Sequence, residues 1–509
     1  MPTDRFPLLQ GDNDRIALID GERRVTYGAL NGLADRLATG LLDGTQDLAE
    51  ERIAFFLPAS TDYVAVMHGV WRAGGIAVPL NVGATITELD HYLRCARVTR
   101  LIAQIEHHAM LGELCAQLGI RLLQPDALMA DAAGVLPDIA DGRRAMMVFT
   151  SGTTSKPKGV VSTHGNIRAQ ITVLLEAWGW SDSDRIPLFL PLHHVHGVIN
   201  VLSCALWAGA TVHLFPRFDA AAICNHVAAG DYSVFMAVPT IYVKLLDHLE
   251  SLKGPEAKKV CDGFAAMRLN VSGSAACPVP LFEQWQARTG QILLERYGMT
   301  EIGMALSNPY LGERRAGHVG QPLPGVEVRL IGEDEQPALD EGQPGEIRIK
   351  GPNVFLEYWD NAKATANSFR DGWFCTGDMA VVEEGSYRIM GRTSIDIIKS
   401  GGYKLSALEI EAVLLAHPAV AEVAVIGVDD ATWGEKVVAF VVPRSGQHAD
   451  AGEIIDWSAG RLSVYKIPRL IHFVDSLPRN AMGKVTKPDL KALLSAASAQ
   501  TSLERNVAP

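Results

Sequence analysis

Residues 149–159 read Phe-Thr-Ser-Gly-Thr-Thr-Ser-Lys-Pro-Lys-Gly. Hydroxyls, glycine and lysine crowd together there, behind a β-rich run at 145–149. Hydroxyl and backbone N–H groups surround phosphate oxygens well, and lysine adds positive charge. Thr150, Ser151, Gly152, Thr153, Thr154 and Lys158 are therefore candidate phosphate contacts. The string is not a Walker A loop, which requires Gly-x-x-x-x-Gly-Lys-Ser/Thr. Here Lys158 precedes the second glycine, so a P-loop kinase or ATPase is disfavoured. A generic Ser/Thr/Gly run is as readily a solvated linker; only the full string is specific.

Two other features bear on chemistry. His193, His194 and His196 lie close together, but they lack the i, i+4 spacing of helical zinc sites and have no partner motif. Metal binding is a minor reading for them. Arg268 sits in Met267-Arg-Leu-Asn-Val-Ser-Gly273, a strand-like run. A charge in such a strand is costly unless paired. Its partner is either a structural carboxylate or a ligand carboxylate.

These residues must be positioned by a large scaffold. The chain has 509 residues, 48% of them apolar and 20% charged. That suffices for large cores and argues against extended disorder. A net charge of −12 argues against a nucleic-acid binder, while local cations still serve anionic ligands on an acidic protein. The seven cysteines are odd in number and show no Cys-x-x-Cys pair, so reduced thiols are expected. No secretory signal is legible at the N-terminus. The apolar run at 198–215 is broken by Gly209 and His213 and reads as a buried helix followed by a strand, not a membrane span. A soluble cytoplasmic enzyme is the expectation.

Helical patterns alternate with short β-rich runs at 52–57, 76–78, 99–102, 145–149, 211–215 and 269–271, around a helix at 61–72. Such alternation predicts an α/β fold with largely parallel sheets. Near 326–330 and 345–350 the pattern turns to short strands and turns. A small alternating unit follows the strand-like run 387–392, with helices at 407–415 and 451–462 and strands at 420–426 and 435–442. We therefore expect a large, multi-subdomain N-terminal domain, 1–393, and a small mobile α+β C-terminal domain, 394–509.

The order of motifs is similar to that of the adenylate-forming superfamily, which contains acyl-CoA synthetases, peptide-synthetase adenylation domains and beetle luciferases. Residues 150–159 resemble its phosphate-binding signature, with Ser155 where glycine is common. Ser272, Gly273, Ser274 and Ala275 resemble its adenine loop. Glu295-Arg296-Tyr297-Gly298-Met299-Thr300-Glu301 resembles the segment whose Thr meets the α-phosphate and whose Glu holds Mg²⁺. Asp378, in Thr376-Gly-Asp378, resembles the ribose-binding Asp, and Arg392 the Arg before the domain hinge. Residues 478–484 resemble the motif carrying the adenylation lysine, Lys484.

The resemblance implies ATP, Mg²⁺ and coenzyme A as co-reactants. Carboxylate attack on ATP joins two anions and is catalysed by positioning and electrostatic stabilisation. The implied roles are Lys484 bridging carboxylate and α-phosphate, Thr300 donating to the α-phosphate, and Glu301 as a hard ligand for Mg²⁺. Thiol attack on the acyl-adenylate would follow a swing about Asp396, with Ser394 the alternative. That swing would turn Lys399, Gly401 and Gly402 towards the site. One residue more than the common spacing separates Gly391-Arg392 from Gly401-Gly402.

Within that family, residues 294–306 and 391–408 resemble malonyl-CoA synthetases. That likeness implies His194 as pocket gate, Val195 and Met304 beside the C2 substituent, and malonate or methylmalonate as the acid. Arg268, and with it Arg314 and Arg315, would then read a second carboxylate. The alternatives are a medium-chain or aryl CoA ligase, an enzyme loading a carrier protein, and a silent nucleotide binder. The expected partners are a small carboxylate and CoA, with neither nucleic acid nor membrane.

Overall fold

The structure, a computed structural model, describes residues 9, 11–150, 157–338, 340–401, 403–430, 432–447, 450–479 and 485–494. Ser151, Gly152, Thr153, Thr154, Gly402 and Lys484 lie outside the described residues.

Five sheets carry the fold. The largest has seven strands, in the order Glu357–Tyr358, Gly159–Thr163, Arg144–Phe149, Ile76–Pro79, Arg52–Phe56, Arg100–Ala103 and Arg121–Leu123. Its five later strands in that order run parallel, as helix-connected strands must when both faces are covered. Gly159–Thr163 is antiparallel to both its neighbours, Glu357–Tyr358 and Arg144–Phe149, with Phe149 opposite Gly159. The phosphate segment is thus a hairpin loop, and Thr150 N donates to Lys158 O across its base at 3.1 Å.

A second sheet sets Val234–Ala237, Leu269–Ser272 and Leu294–Met299 parallel. It then turns back through an antiparallel pair, Leu294–Met299 with Gly303–Ser307. Thr300 and Glu301 are therefore at the tip of a hairpin. A four-stranded sheet at the N-terminal end includes Arg185–Leu188 and Thr211–Leu214. The antiparallel sheet that closes the large domain contains Trp373–Glu383 and Ser386–Arg392. The C-terminal sheet begins at Ile397–Ser400 and centres on the long pair Val420–Asp430 and Gly434–Pro443.

Two helices brace the site. Thr61–Arg72 is capped by Ser60 and buried along nearly its whole length. Its Trp71 Nε1 donates to Ala145 O, 2.8 Å, beneath the strand that feeds the phosphate hairpin. Its Tyr63 hydroxyl donates to Leu192 O, 2.7 Å, at the entry to the histidine segment. His164–Trp178 follows directly on Gly159–Thr163. Its Gln170 accepts from Met304 N at 2.7 Å, and Trp178 Nε1 donates to Ser307 Oγ at 3.0 Å. Each indole is fully buried, a contribution of about 2–3 kcal/mol from apolar burial alone. The hairpin that presents Thr300 and Glu301 thus rests on the helix that follows the phosphate loop.

The apolar run at 198–215 forms the π-helical stretch His196–Ser203, a short α-helix, Cys204–Ala208, and the strand Thr211–Leu214. Among the described residues no helix is long and apolar enough to cross a membrane.

Candidate active site

The carboxyl ends of the parallel strands 269–272 and 294–299 converge with the hairpin 144–163 and the strand Trp373–Glu383. Asp378, buried, is the meeting point of three sequence motifs. Tyr297 Oη donates to its Oδ2 at 2.6 Å, and Arg392 Nε lies 3.2 Å from its Oδ1. Sheet register explains the second contact, because Asp378 and Arg392 are directly paired across antiparallel strands. Thr376 Oγ1 accepts from Asp378 N at 3.1 Å and donates to Ile347 O, fixing the carboxylate's approach.

Glu301 is also buried. Its Oε1 accepts from the Tyr358 hydroxyl at 2.8 Å, and Lys158 Nζ lies 4.2 Å above the centre of the Tyr358 ring. Burial raises the Glu301 carboxyl above its ordinary range, while Tyr358, Arg392 and Lys158 pull the other way. A carboxylate in this setting is stabilised by an added cation.

Arg296 carries the most informative geometry. It is 5% exposed, and its Nε and one Nη have no hydrogen-bond partner among the described residues. Its guanidinium lies flat against Gly273: a Cβ there would sit 2.3 Å from the guanidinium carbon, so only glycine admits it. Burial pulls the group down to about 10, which leaves it cationic at neutral pH. Close by is fully buried His196, whose imidazole is held well below its usual value by burial, by Arg296 and by His194.

His196 Nδ1 is 3.0 Å from Ser274 Oγ, and Ser274 holds a left-handed backbone, φ +67°. With the serine hydroxyl donating to Nδ1, Nε2 carries the proton, and Nε2 too lacks a partner among the described residues. His196 N in turn donates to His194 Nδ1 at 3.2 Å. The Met304 methyl fills the space over Gly298. Val195 and Met304 are both buried. Val195 and Met304 thus supply buried apolar side chains, and three nitrogens, Arg296 Nε, one Arg296 Nη and His196 Nε2, have no partner among the described residues.

The profile described as AMP-binding enzyme matches residues 9–359, and the profile of the AMP-binding enzyme C-terminal domain matches 409–484. The chain belongs to the AMP-binding enzyme family. It is 43% identical to the mitochondrial malonate–CoA ligase ACSF3 of Bos taurus, over 94% of this chain and 88% of that protein. The ATP-bound crystal structure of MatB from Rhodopseudomonas palustris superposes with a TM-score of 0.86 at 34% identity, covering 95% of this chain and 96% of that one. A malonyl-CoA ligase ternary product complex with methylmalonyl-CoA and AMP gives 0.69 at 36% identity, covering 93% and 100%.

In this AMP-binding enzyme the expected arginine is corrected. Arg268 donates from Nε and Nη2 to Asp184 Oδ1 and Oδ2, both at 2.7 Å, and from Nη1 to Trp178 O at 2.8 Å. Its carboxylate is therefore structural. The reason is position: Arg268 precedes the strand Leu269–Ser272, whereas ligands gather at carboxyl ends. Four residues of strand separate it from the site by roughly 13 Å.

Arg314 and Arg315 are corrected likewise. Arg314 donates to the carbonyls of Ile292, Tyr310 and Pro309. Arg315 pairs with Glu384 at 2.9 Å on the surface. The expected result for Arg268→Met is a loss of stability of about 3 kcal/mol, because Asp184, 2% exposed, is left charged and unpaired. Its kcat/KM for the acid, per folded molecule, stays at the wild-type value. Thermal unfolding together with active-site titration checks both halves.

Glu295, expected at the nucleotide, faces away from Arg296 and accepts from Gly317 N at 2.9 Å. Burial pushes its carboxyl up to about 8. Met299 pairs with Gly303 at the end of the hairpin. In the C-terminal domain, Asp396 Oδ2 accepts from Arg392 N at 3.0 Å. Lys399 Nζ reaches Glu333 Oε1 at 3.6 Å, and Gly401 N donates to Trp433 O. Ser272, Gly273 and Ala275 line the turn between the second strand and the helix Val279–Thr289.

The sequence reading missed the separate role of Arg296, the His196–Ser274 contact, and the Tyr297 and Tyr358 hydroxyls. A signal for the first was available. In a strand over 294–299, residues 295 and 297 share one face and residue 296 the other, so one motif presents side chains to two different surroundings.

Proposed function

We propose that the chain is an ATP-dependent malonate–CoA ligase, accepting methylmalonate as the branched analogue, and that Arg296 receives the carboxylate that does not react. The carrying observation is a buried guanidinium with two nitrogens unpartnered among the described residues, in the strand that leads to Thr300. An unpaired buried charge is expensive, and a bidentate carboxylate is its best-matched partner. A simple alkanoate leaves that cost in place. A diacid removes it, and the protonated Nε2 of His196 adds a donor.

In the first half-reaction one malonate oxygen attacks the α-phosphorus of ATP and pyrophosphate leaves. With the far carboxylate fixed on Arg296, the near one has few orientations left, and such positioning supplies a large part of the barrier reduction. Thr300 donates to the α-phosphate, Lys158 and the hydroxyls of 150–155 hold the β- and γ-phosphates, and Asp378 accepts from the ribose hydroxyls. Lys484 bridges the attacking carboxylate and the phosphate. In the second half-reaction the CoA thiol, losing its proton, attacks the acyl carbon and AMP leaves.

Glu301 fits Mg²⁺: it is a hard oxygen donor whose burial is relieved by a cation, beside the phosphate-loop Lys158. When bound, the ion neutralises phosphate charge.

The test is AMP and thioester formation from ATP, Mg²⁺ and CoA across malonate, methylmalonate, acetate, butyrate and benzoate. Malonate and methylmalonate are expected to give thioester and AMP in equal amounts, with the monocarboxylates at least about a hundredfold slower. Turnover of monocarboxylates alone overturns the diacid assignment and retains the ligase chemistry.

A further inference from the structure

Lys487 lies beyond every motif used so far. Its ammonium is 8% exposed and sits between two carboxylates, 2.6 Å from Asp396 Oδ1 and 2.7 Å from Glu411 Oε1. The three residues come from three places. Asp396 closes the linker between the antiparallel sheet ending at Arg392 and the C-terminal sheet beginning at Ile397. Glu411 is on the helix Ala407–Leu415. Lys487 follows the segment that contains Lys484.

Each carboxylate is held a second time by backbone: Arg392 N donates to Asp396 Oδ2, and Val425 N to Glu411 Oε1 at 2.7 Å. The linker is wound tightly about Asp396. Gly391 has φ +117°, and a Cβ on it would lie 2.4 Å from Asp396 Cβ. At the other end, Arg479 pairs with Val485 in an antiparallel bridge, and Thr486 N donates to Pro478 O at 2.9 Å. The chain leaves and re-enters residues 480–484 at a closed base, and Lys487 anchors that base from below.

The contacts form one path. The base of the Lys484 segment is fixed by Lys487 to Asp396; Asp396 holds the backbone of Arg392; the Arg392 side chain lies on Asp378. We propose that Lys487 is a positioning residue for adenylation, fixing the reach of Lys484 relative to the nucleotide site through Asp396. The inference rests on the adenylation role of Lys484 given above. A C-terminal lysine that must meet the α-phosphate needs its base located on the same linker that carries the ribose-side arginine. A misplacement of about 1 Å far from the chemistry can cost about a hundredfold in rate.

The test separates the half-reactions in the full-length enzyme. Adenylation is read as malonate-dependent exchange of pyrophosphate into ATP. Thioester formation is read from supplied malonyl-adenylate and CoA, which requires a folded C-terminal domain and so controls for folding. Lys487→Met is expected to lower exchange about a hundredfold and thioester formation less than about threefold. Lys487→Arg, which keeps the charge, retains most of the exchange. Lys487→Gln, which keeps hydrogen-bonding capacity and loses the charge, carries the same test should Lys487→Met fail to fold; it is expected to lose exchange selectively too.

Unchanged exchange in the folded Lys487→Met and Lys487→Gln variants, or parallel loss of both half-reactions in them, overturns the inference. Lys484→Ala runs beside them. If it abolishes exchange while the Lys487→Met and Lys487→Gln variants behave as wild type, the inference alone fails. If it leaves exchange intact, the role given to Lys484 fails and the inference falls with it.

Discussion

Arg296→Met lowers kcat/KM for malonate by roughly two to three powers of ten, and that for butyrate by less than about threefold. The first figure follows from breaking a buried carboxylate–guanidinium pair, about 3–5 kcal/mol, at 1.4 kcal/mol per tenfold. The second follows because a monocarboxylate never engages the guanidinium. Methionine keeps an unbranched chain of similar reach beside Gly273 and removes the charge that burial already strains. Butyrate turnover is then expected to rise relative to malonate.

Arg296→Lys is expected to recover only part of the malonate activity. An ammonium offers a point charge, whereas the two unpartnered guanidinium nitrogens form a fork. The measurement is kcat/KM for both acids in all three proteins, with the Michaelis constant for ATP as control. Were Arg296 only a prop for the adenine loop, malonate and butyrate would fall together and the ATP constant would rise.

The contrast between Arg296 and Arg268 shows what the sequence could and could not tell. Both are arginines in or beside β-strands, and both satisfy the rule that a buried cation needs an anion. What separates them is which end of the strand each occupies and whether the fold already supplies the anion. Asp184 meets Arg268 from 84 residues away, a pairing no local pattern encodes. The elements themselves were legible, because their signals are local. The helix Thr61–Arg72 and the strand Gly345–Lys350 follow from apolar periodicity and turn residues over short windows.

The phosphate hairpin was legible in content and not in form, since antiparallel closure of Phe149 on Gly159 depends on the neighbouring strands. The convergence of Tyr297, Asp378 and Arg392 depends on sheet register in the same way. The His196–Ser274 contact spans 78 residues and a left-handed serine. Motif order named these residues; only the packed sheets show that Arg296 and Tyr297, adjacent in sequence, point to different surroundings, Arg296 against Gly273 and Tyr297 on Asp378.

Lys484→Ala is expected to abolish adenylation, with malonate-dependent exchange falling at least about a hundred- to a thousandfold, the cost of removing one electrostatic group aimed at developing charge. The attacking carboxylate and the α-phosphate are both anionic. Among the described residues, Arg392 is already paired with Asp378. On the proposed mechanism, the repulsion between the two reacting anions is offset by the cation of Lys484. Thioester formation from supplied malonyl-adenylate joins no second anion to phosphate, and it is expected to change less than about threefold. Parallel loss of both half-reactions would show that Lys484 supports the C-terminal domain generally. Selective loss of exchange would show that the cation acts where carboxylate meets phosphorus, and that the two half-reactions draw on different residues of the same small domain.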